Sequence, residues 1–204
     1  MATAKAPEVR DSIHLKKQEF VRHEIWVAAM EMFSSVGYDE TTIDQIAVKA
    51  NVSRRTFFRY FSSKEDVMAA AMKGYGAALV RTLHEQPAES SPYEAARTVV
   101  KRVAKLAADS PYAEQVMRIG EKSAVARSAQ ILAMPVIEDE LSEVFASRAG
   151  EDADACRSAC LLASVTVSVT KLCITQWLKK PQESIESMVD AAFASLSRIF
   201  SSPR

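Results

Sequence analysis

Residues Thr41 to Asp66, TTIDQIAVKANVSRRTFFRYFSSKED, hold three helix-start signals, a turn residue and a pair of phenylalanines one helical turn apart, and leave room only for two short helices joined by a tight turn and the start of a third. Thr42 and Gln45 form a capping box, and Ile43, Ile46 and Ala47 give the helix that follows one apolar face. Asn51 stands at the turn, where a residue of positive φ is expected; its short side chain bonds locally and tolerates that region. Ser53 can cap a second helix, whose Phe57 and Phe61 face the core. The other faces carry Arg54, Arg55, Thr56, Phe58, Arg59 and Tyr60. From Asn51 through Lys64 there are four cations and no acid, so this helix can enter a DNA major groove without like-charge repulsion. Ser62 to Glu65 reads as another capping box, starting a helix whose positive dipole end lies close to Lys64.

Residues Lys17 to Met68, and above all the run VSRRTFFRYFSSKED, resemble the DNA-binding domain of the TetR (tetracycline repressor) family of bacterial transcriptional regulators. The resemblance includes an amphipathic first helix with Ile25, Ala29, Met32 and Phe33 on one face, Gly37 at its C-terminal cap, and Gly37-Tyr38 leading to Thr41-Thr42. It covers about a quarter of the chain; no further motif stands out beyond Met72. Asn51 replaces a common Gly, and Phe58 a common Tyr, so position 58 lacks a hydroxyl that often meets the DNA backbone. The resemblance implies an all-α fold: a three-helix DNA-binding domain, a linking helix, and a larger helical domain for ligand binding and dimerisation. It also implies that Thr42, Ser53, Arg54, Arg55, Thr56, Phe58, Arg59, Tyr60 and Lys64 face DNA. Of these, Arg54 and Arg55 are expected to reach base edges, and Thr42, Tyr60 and Lys64 to hold phosphates.

The chain of 204 residues has zero formal net charge, so its cations act locally and it is no general coat for nucleic acid. Three cysteines without a disulfide framework, and an N-terminus without an apolar stretch, suggest a cytoplasmic protein. The apolar run from Ala159 to Val169 is broken by Ser164, Thr166 and Ser168 and reads as too short to span a bilayer. The division expected is 1–16 as a flexible arm, 17–66 as the reading domain and 67–204 as the helical body. Within the arm, Lys5, Arg10, Lys16 and Lys17 are candidates for reaching DNA, diluted by Glu8 and Asp11.

Beyond the reading domain a linking helix is expected from Lys64 to about Gln86, then one from Pro92 to about Ala108 behind the box Ser91-Pro92-Tyr93-Glu94. Ser110-Pro111 suggests another start. A long pattern from Ser123 to Ala149 is kinked or divided at Pro135 and stopped by Gly150. Asp152 to Lys179 is expected to be helical by length and flanks, although Val165, Thr166, Val167, Val169 and Thr170 favour a strand. After Pro181, the residues Ile185, Met188, Val189, Ala192, Phe193 and Leu196 follow helical spacing. In the resembled family the last two long helices build the homodimer interface, which assigns that stripe to it; packing on the chain's own core is the other reading.

Enzymatic readings lack residues. His14, His23 and His84 form no helical metal pair, the five glycines form no phosphate loop, and no Gly-x-Ser-x-Gly elbow occurs. No catalytic residue, metal or cofactor is expected. Cys156 and Cys160 lie one turn apart with Cys173 beyond them, as interface packing or as a redox pair. The leading expectation is a homodimeric repressor released from a palindromic double-stranded operator by a small, largely apolar effector. Its pocket would draw on Met72, Leu79, Leu83, Leu106, Met117, Met134, Phe145, Cys173 and Trp177, with Tyr112 and Arg118 as polar contacts, each of which also suits an ordinary core or surface. A helical interaction or adaptor module, an activator, and a ligand-free regulator are the alternatives.

Overall fold

The structure, a computed structural model, describes residues 6–149 and 153–201. Among them there are ten helices and no strand: α1 (Ala6–Ser35), α2 (Ile43–Lys49), α3 (Arg54–Tyr60), α4 (Lys64–His84), α5 (Pro92–Ala108), α6 (Ala113–Lys122), α7 (Ala124–Leu132), α8 (Met134–Ala149), α9 (Ala153–Lys179) and α10 (Ile185–Ser201). The first three make a small head, α4 links it to a body made of the rest, and the all-α architecture expected from the sequence is the one observed.

Local chemistry places the ends of these helices. Thr42 and Gln45 form the reciprocal box at α2, Ser53 accepts from the Thr56 amide at α3, and Ser91 with Glu94 makes the box behind Pro92 at α5. Other boundaries shift. Ser63, rather than Ser62, caps α4, while the Asp66 carboxylate accepts from the Ser62 amide at 3.0 Å. Pro111 precedes α6 without starting it, since the helix begins at Ala113 with no side-chain cap. Pro181 likewise lies before the Ser184 hydroxyl, which accepts from the Ser187 amide at the start of α10. Pro135 coincides with the division of α7 from α8. The segment expected to be a flexible arm is helical from Ala6 onward; residues 1–5, with Lys5, and the expected stop at Gly150 lie outside the described residues.

Asn51 has φ +52°, and its neighbour Val52 donates to the Ala47 carbonyl at 2.9 Å, which closes the turn between α2 and α3. Asn51→Gly should leave stability unchanged or raise it slightly, whereas Asn51→Val should cost about 1–2 kcal/mol, the left-handed penalty for a side chain without a local bond. Urea unfolding of the two variants checks this.

Two apolar clusters make the core. The body cluster is built on α4, α5, α8, α9 and α10, with Leu79, Leu83, Val99, Leu141, Phe145 and Cys173 buried in it. The head cluster holds Ile25, Ala29, Phe33, Ile46, Phe57 and Phe61, but also Val116 and Ile119 of α6 and Ala126 and Ala129 of α7. The head is therefore seated on the body rather than tethered by α4 alone. Ser123, the cap of α7, adds a polar tie by donating to Asp39 Oδ1 at 3.1 Å.

α9 as a whole is long and apolar enough to cross a membrane, more so than its broken central run suggested. It is instead the central helix of the body: Ala159, Ala163, Val167, Val169 and Cys173 are buried against α5, α8 and α10. Its threonines keep to helix because tertiary burial outweighs β propensity, and Thr166 and Thr170 each donate to the carbonyl four residues back at 2.6 Å.

The last helix requires a correction. Ile185, Val189 and Phe193 are buried in the chain's own core, with Phe193 2% exposed and its ring 5.4 Å from that of Tyr93, so they are not available to a partner. Met188, Ala192 and Leu196 are half-buried. The Asp190 carboxylate ties α10 to α5, accepting from Arg97 Nε at 2.8 Å and from Lys101 Nζ at 2.7 Å. These cations hold it below the usual carboxylate range.

Candidate nucleic-acid interface

The reading surface is α3 with the two corners beside it. Phe57 and Phe61 turn inward, and this fixes which residues α3 presents outward: Arg54, Arg55, Phe58 and Arg59 are exposed, and Thr56 and Tyr60 half-buried. Thr42 and Ser53 are exposed at the starts of α2 and α3. The hydroxyl of Ser53 caps α3, accepting from the Thr56 amide at 3.0 Å and lying 2.9 Å from the Thr56 hydroxyl.

The cations of this surface are held differently. Arg54 donates to both carboxylate oxygens of Asp44 at 2.8 Å and lies over the Phe58 ring, 5.5 Å from its centre. Arg59 donates to the Tyr60 hydroxyl at 3.1 Å and lies over that ring. Arg55 has no such internal contact among the described residues and extends into solvent. Lys64 is turned inward: its ammonium donates to the Tyr38 carbonyl at 2.7 Å and lies 4.7 Å from the centre of the Tyr38 ring. The expected phosphate anchor thus also clamps the corner between α1 and α2 to the start of α4, over a tyrosine whose burial pushes its phenol well above the ordinary value.

Asp44 escaped the sequence reading. The acid-free stretch from Asn51 to Lys64 drew attention to the cations, while the carboxylate that positions one of them comes from α2, ten residues earlier in the chain than Arg54. An acid in the first turn of the helix preceding the reading helix was the available signal.

Met72, Leu79, Leu83, Met134, Phe145, Cys173 and Trp177 of the expected pocket do meet in one body cluster. Others do not join it. Leu106 is 52% exposed, and Arg118 is exposed and paired with Glu114. Tyr112 packs edge-on against Trp26 of α1, with ring centres 5.0 Å apart, where head meets body. Met117 is half-buried on α6. Cys156 and Cys160 are exposed and Cys173 is buried; burial pushes the Cys173 thiol up, opposite to what a reactive thiol requires.

A cationic helix presented by a helix-turn-helix head, seated on a larger helical body, defines a DNA-binding transcriptional regulator. Comparison with known proteins gives the same class. Residues 25–71 match the family described as bacterial regulatory proteins, tetR family, and residues 90–201 match the MftR C-terminal domain. The HTH-type transcriptional regulator TcmR of Streptomyces glaucescens is 27% identical over 180 residues, 85% of this chain and 80% of that protein. Among solved structures, NalD, the secondary repressor of the MexAB-OprM multidrug efflux pump in Pseudomonas aeruginosa, superposes with a TM-score of 0.62 at 17% identity, covering 90% of this chain and 96% of that one. FadR of Bacillus subtilis in complex with stearoyl-CoA gives 0.57 at 16% identity, covering 84% and 95%. The chain belongs to the TetR family: it is a DNA-binding transcriptional regulator and not an enzyme.

Proposed function

We propose that the protein acts as a homodimeric repressor that leaves a palindromic operator when a small, largely apolar molecule binds its body. The observation that carries this reading is the shared core: α6 and α7 of the body supply Val116, Ile119, Ala126 and Ala129 to the cluster that also holds Phe57 of the reading helix. A ligand that prefers one packing of the body over another then shifts the head by the same free energy, and the operator in turn weakens the ligand. The effector is assigned to the apolar cluster around Leu79, Phe145 and Cys173, where the Tyr75 hydroxyl donates to the Val167 carbonyl at 3.4 Å; these residues are closely packed, so the cluster has to open to admit it.

For the dimer, the correction on α10 moves the interface outward. Leu161 and Leu172, three turns apart on one face of α9, are 64% and 48% exposed, and Ile199 on the adjoining α10 is 68% exposed. With the half-buried Met188, Ala192 and Leu196 they form an apolar surface suited to a twofold mate. Footprinting of DNA flanking the coding region, repeated with a panel of metabolites, tests the proposal. Protection of a symmetric site that disappears with one compound supports it. Protection that no compound affects supports a ligand-free regulator, and a rise in transcription on binding supports an activator.

A further inference from the structure

Apart from the reading surface and the body core, α4 and the corner between α7 and α8 enclose a groove of about 550 Å³. Its origin lies in small residues. At Gly76, α4 and α8 come so close that a Cβ would sit 2.6 Å from Ile137 Cγ1, and beside that contact Ala69 and Ala77 leave space. The break between α7 and α8 turns the facing wall outward and leaves Leu132 and Val136 76% and 58% exposed. No residue of the expected effector pocket lines this groove.

Its electrostatics are one-sided. Glu65, Asp66 and Glu140 line it with one cation, Lys73, which lies 3.4 Å from Asp66, while Glu65 is also held by Ser63 and faced by Lys64 from outside the groove. Burial raises the Asp66 carboxyl, but its bond from the Ser62 amide and the neighbouring Lys73 outweigh this and keep it ionised below the usual range. Glu140 is exposed and has no ion-pair partner among the described residues. A carbon-walled groove with an acidic rim disfavours nucleic acid and organic anions, and it favours a molecule with an apolar body and one positive charge.

We propose that this groove binds a lipophilic organic cation, its apolar groups against Ala69, Ala77, Leu132 and Val136 and its charge toward Glu140. Such a ligand bridges α4, whose first turn carries the reading head, to the α7–α8 corner of the body. Any effect on operator binding rests on the ligand-responsive reading above; occupancy of the groove does not.

The test is calorimetric titration of the full chain with tetraphenylphosphonium and with tetraphenylborate, an anion of the same shape. The phosphonium is expected to bind one site per chain, and the borate about tenfold more weakly or not at all. Ala77→Leu fills the groove at an exposed helical position without changing charge and should abolish binding, while Glu140→Gln should weaken it by up to about fivefold. Absence of phosphonium binding, binding that survives Ala77→Leu, equal affinity for the borate, or preference for an oligolysine peptide would each overturn the proposal. Operator affinity measured in parallel separates the two readings. Groove binding that leaves the operator untouched upholds the site and removes its regulatory role, and operator release by a compound indifferent to Ala77→Leu upholds ligand response and removes the groove as its cause.

Discussion

Leu172→Asp is expected to yield a folded monomer that no longer holds a twofold operator. Leu172 is about half exposed and contributes nothing to the buried body cluster, so a carboxylate there is solvated in the single chain and costs its fold little. In a dimer built on α9 and α10 the same carboxylate meets an apolar mate without a partner, at a cost of several kcal/mol, roughly enough to raise a dissociation constant by three orders of magnitude or more. Phe193→Asp should behave differently. Phe193 is buried against Tyr93 in the chain's own core, and a charge there removes much of a total stability of about 5–15 kcal/mol, giving unfolded or aggregated protein instead of monomer. Sedimentation together with thermal melting separates the two outcomes. A Leu172→Asp variant that sediments as a full dimer would remove α9 from the interface.

The second expectation divides the two arginines at the start of α3. Arg55 is free of internal bonds and should make the base contact of greater consequence: Arg55→Ala should cost about 1–3 kcal/mol on the proper operator and relax the preference at one base position in each half-site. Arg54 shares its Nη1 between the two oxygens of Asp44 and is backed by Phe58, so its guanidinium meets DNA already engaged by a carboxylate. Asp44→Asn should free that guanidinium and change the preference at the position Arg54 faces, although the substitution introduces no new cation. Lys64→Ala, by contrast, should weaken binding to all sequences alike and also lower the stability of the head, because the ammonium is bonded to the Tyr38 carbonyl. Selection from a randomised operator library, run with each variant and accompanied by melting curves, reads all of these. A base preference altered by Lys64→Ala and untouched by Arg55→Ala would mean that α3 does not lie in the groove.

The sequence made local events legible where one side chain decides them. The boxes Thr42/Gln45 and Ser91/Glu94, the positive φ at Asn51 and the inward pair Phe57 and Phe61 all stand where the pattern put them, because each rests on bonds or sterics within a few residues. Adjacent candidates defeat the same logic: Ser62 and Ser63 are equally good caps, and only the path of the chain chooses Ser63. What covers an apolar stripe is a tertiary fact. Spacing showed that Ile185, Val189 and Phe193 share a face but not that the face packs on α5 and α9, and it drew Leu106 inward although that residue lies on the solvent side of α5. Likewise the pairing of Asp44 with Arg54 joins two helices and leaves no trace in either helix's own periodicity.

Footprinting of the purified protein across a range of salt concentrations bears most directly on the reading of this chain as a twofold DNA-binding regulator. Two symmetry-related protected half-sites are expected, spaced by about 34–36 Å or a multiple of it, with affinity falling steeply as salt rises because Arg55, Arg59 and their neighbours release condensed counterions. A single unpaired protected segment, or binding indifferent to salt, would contradict it.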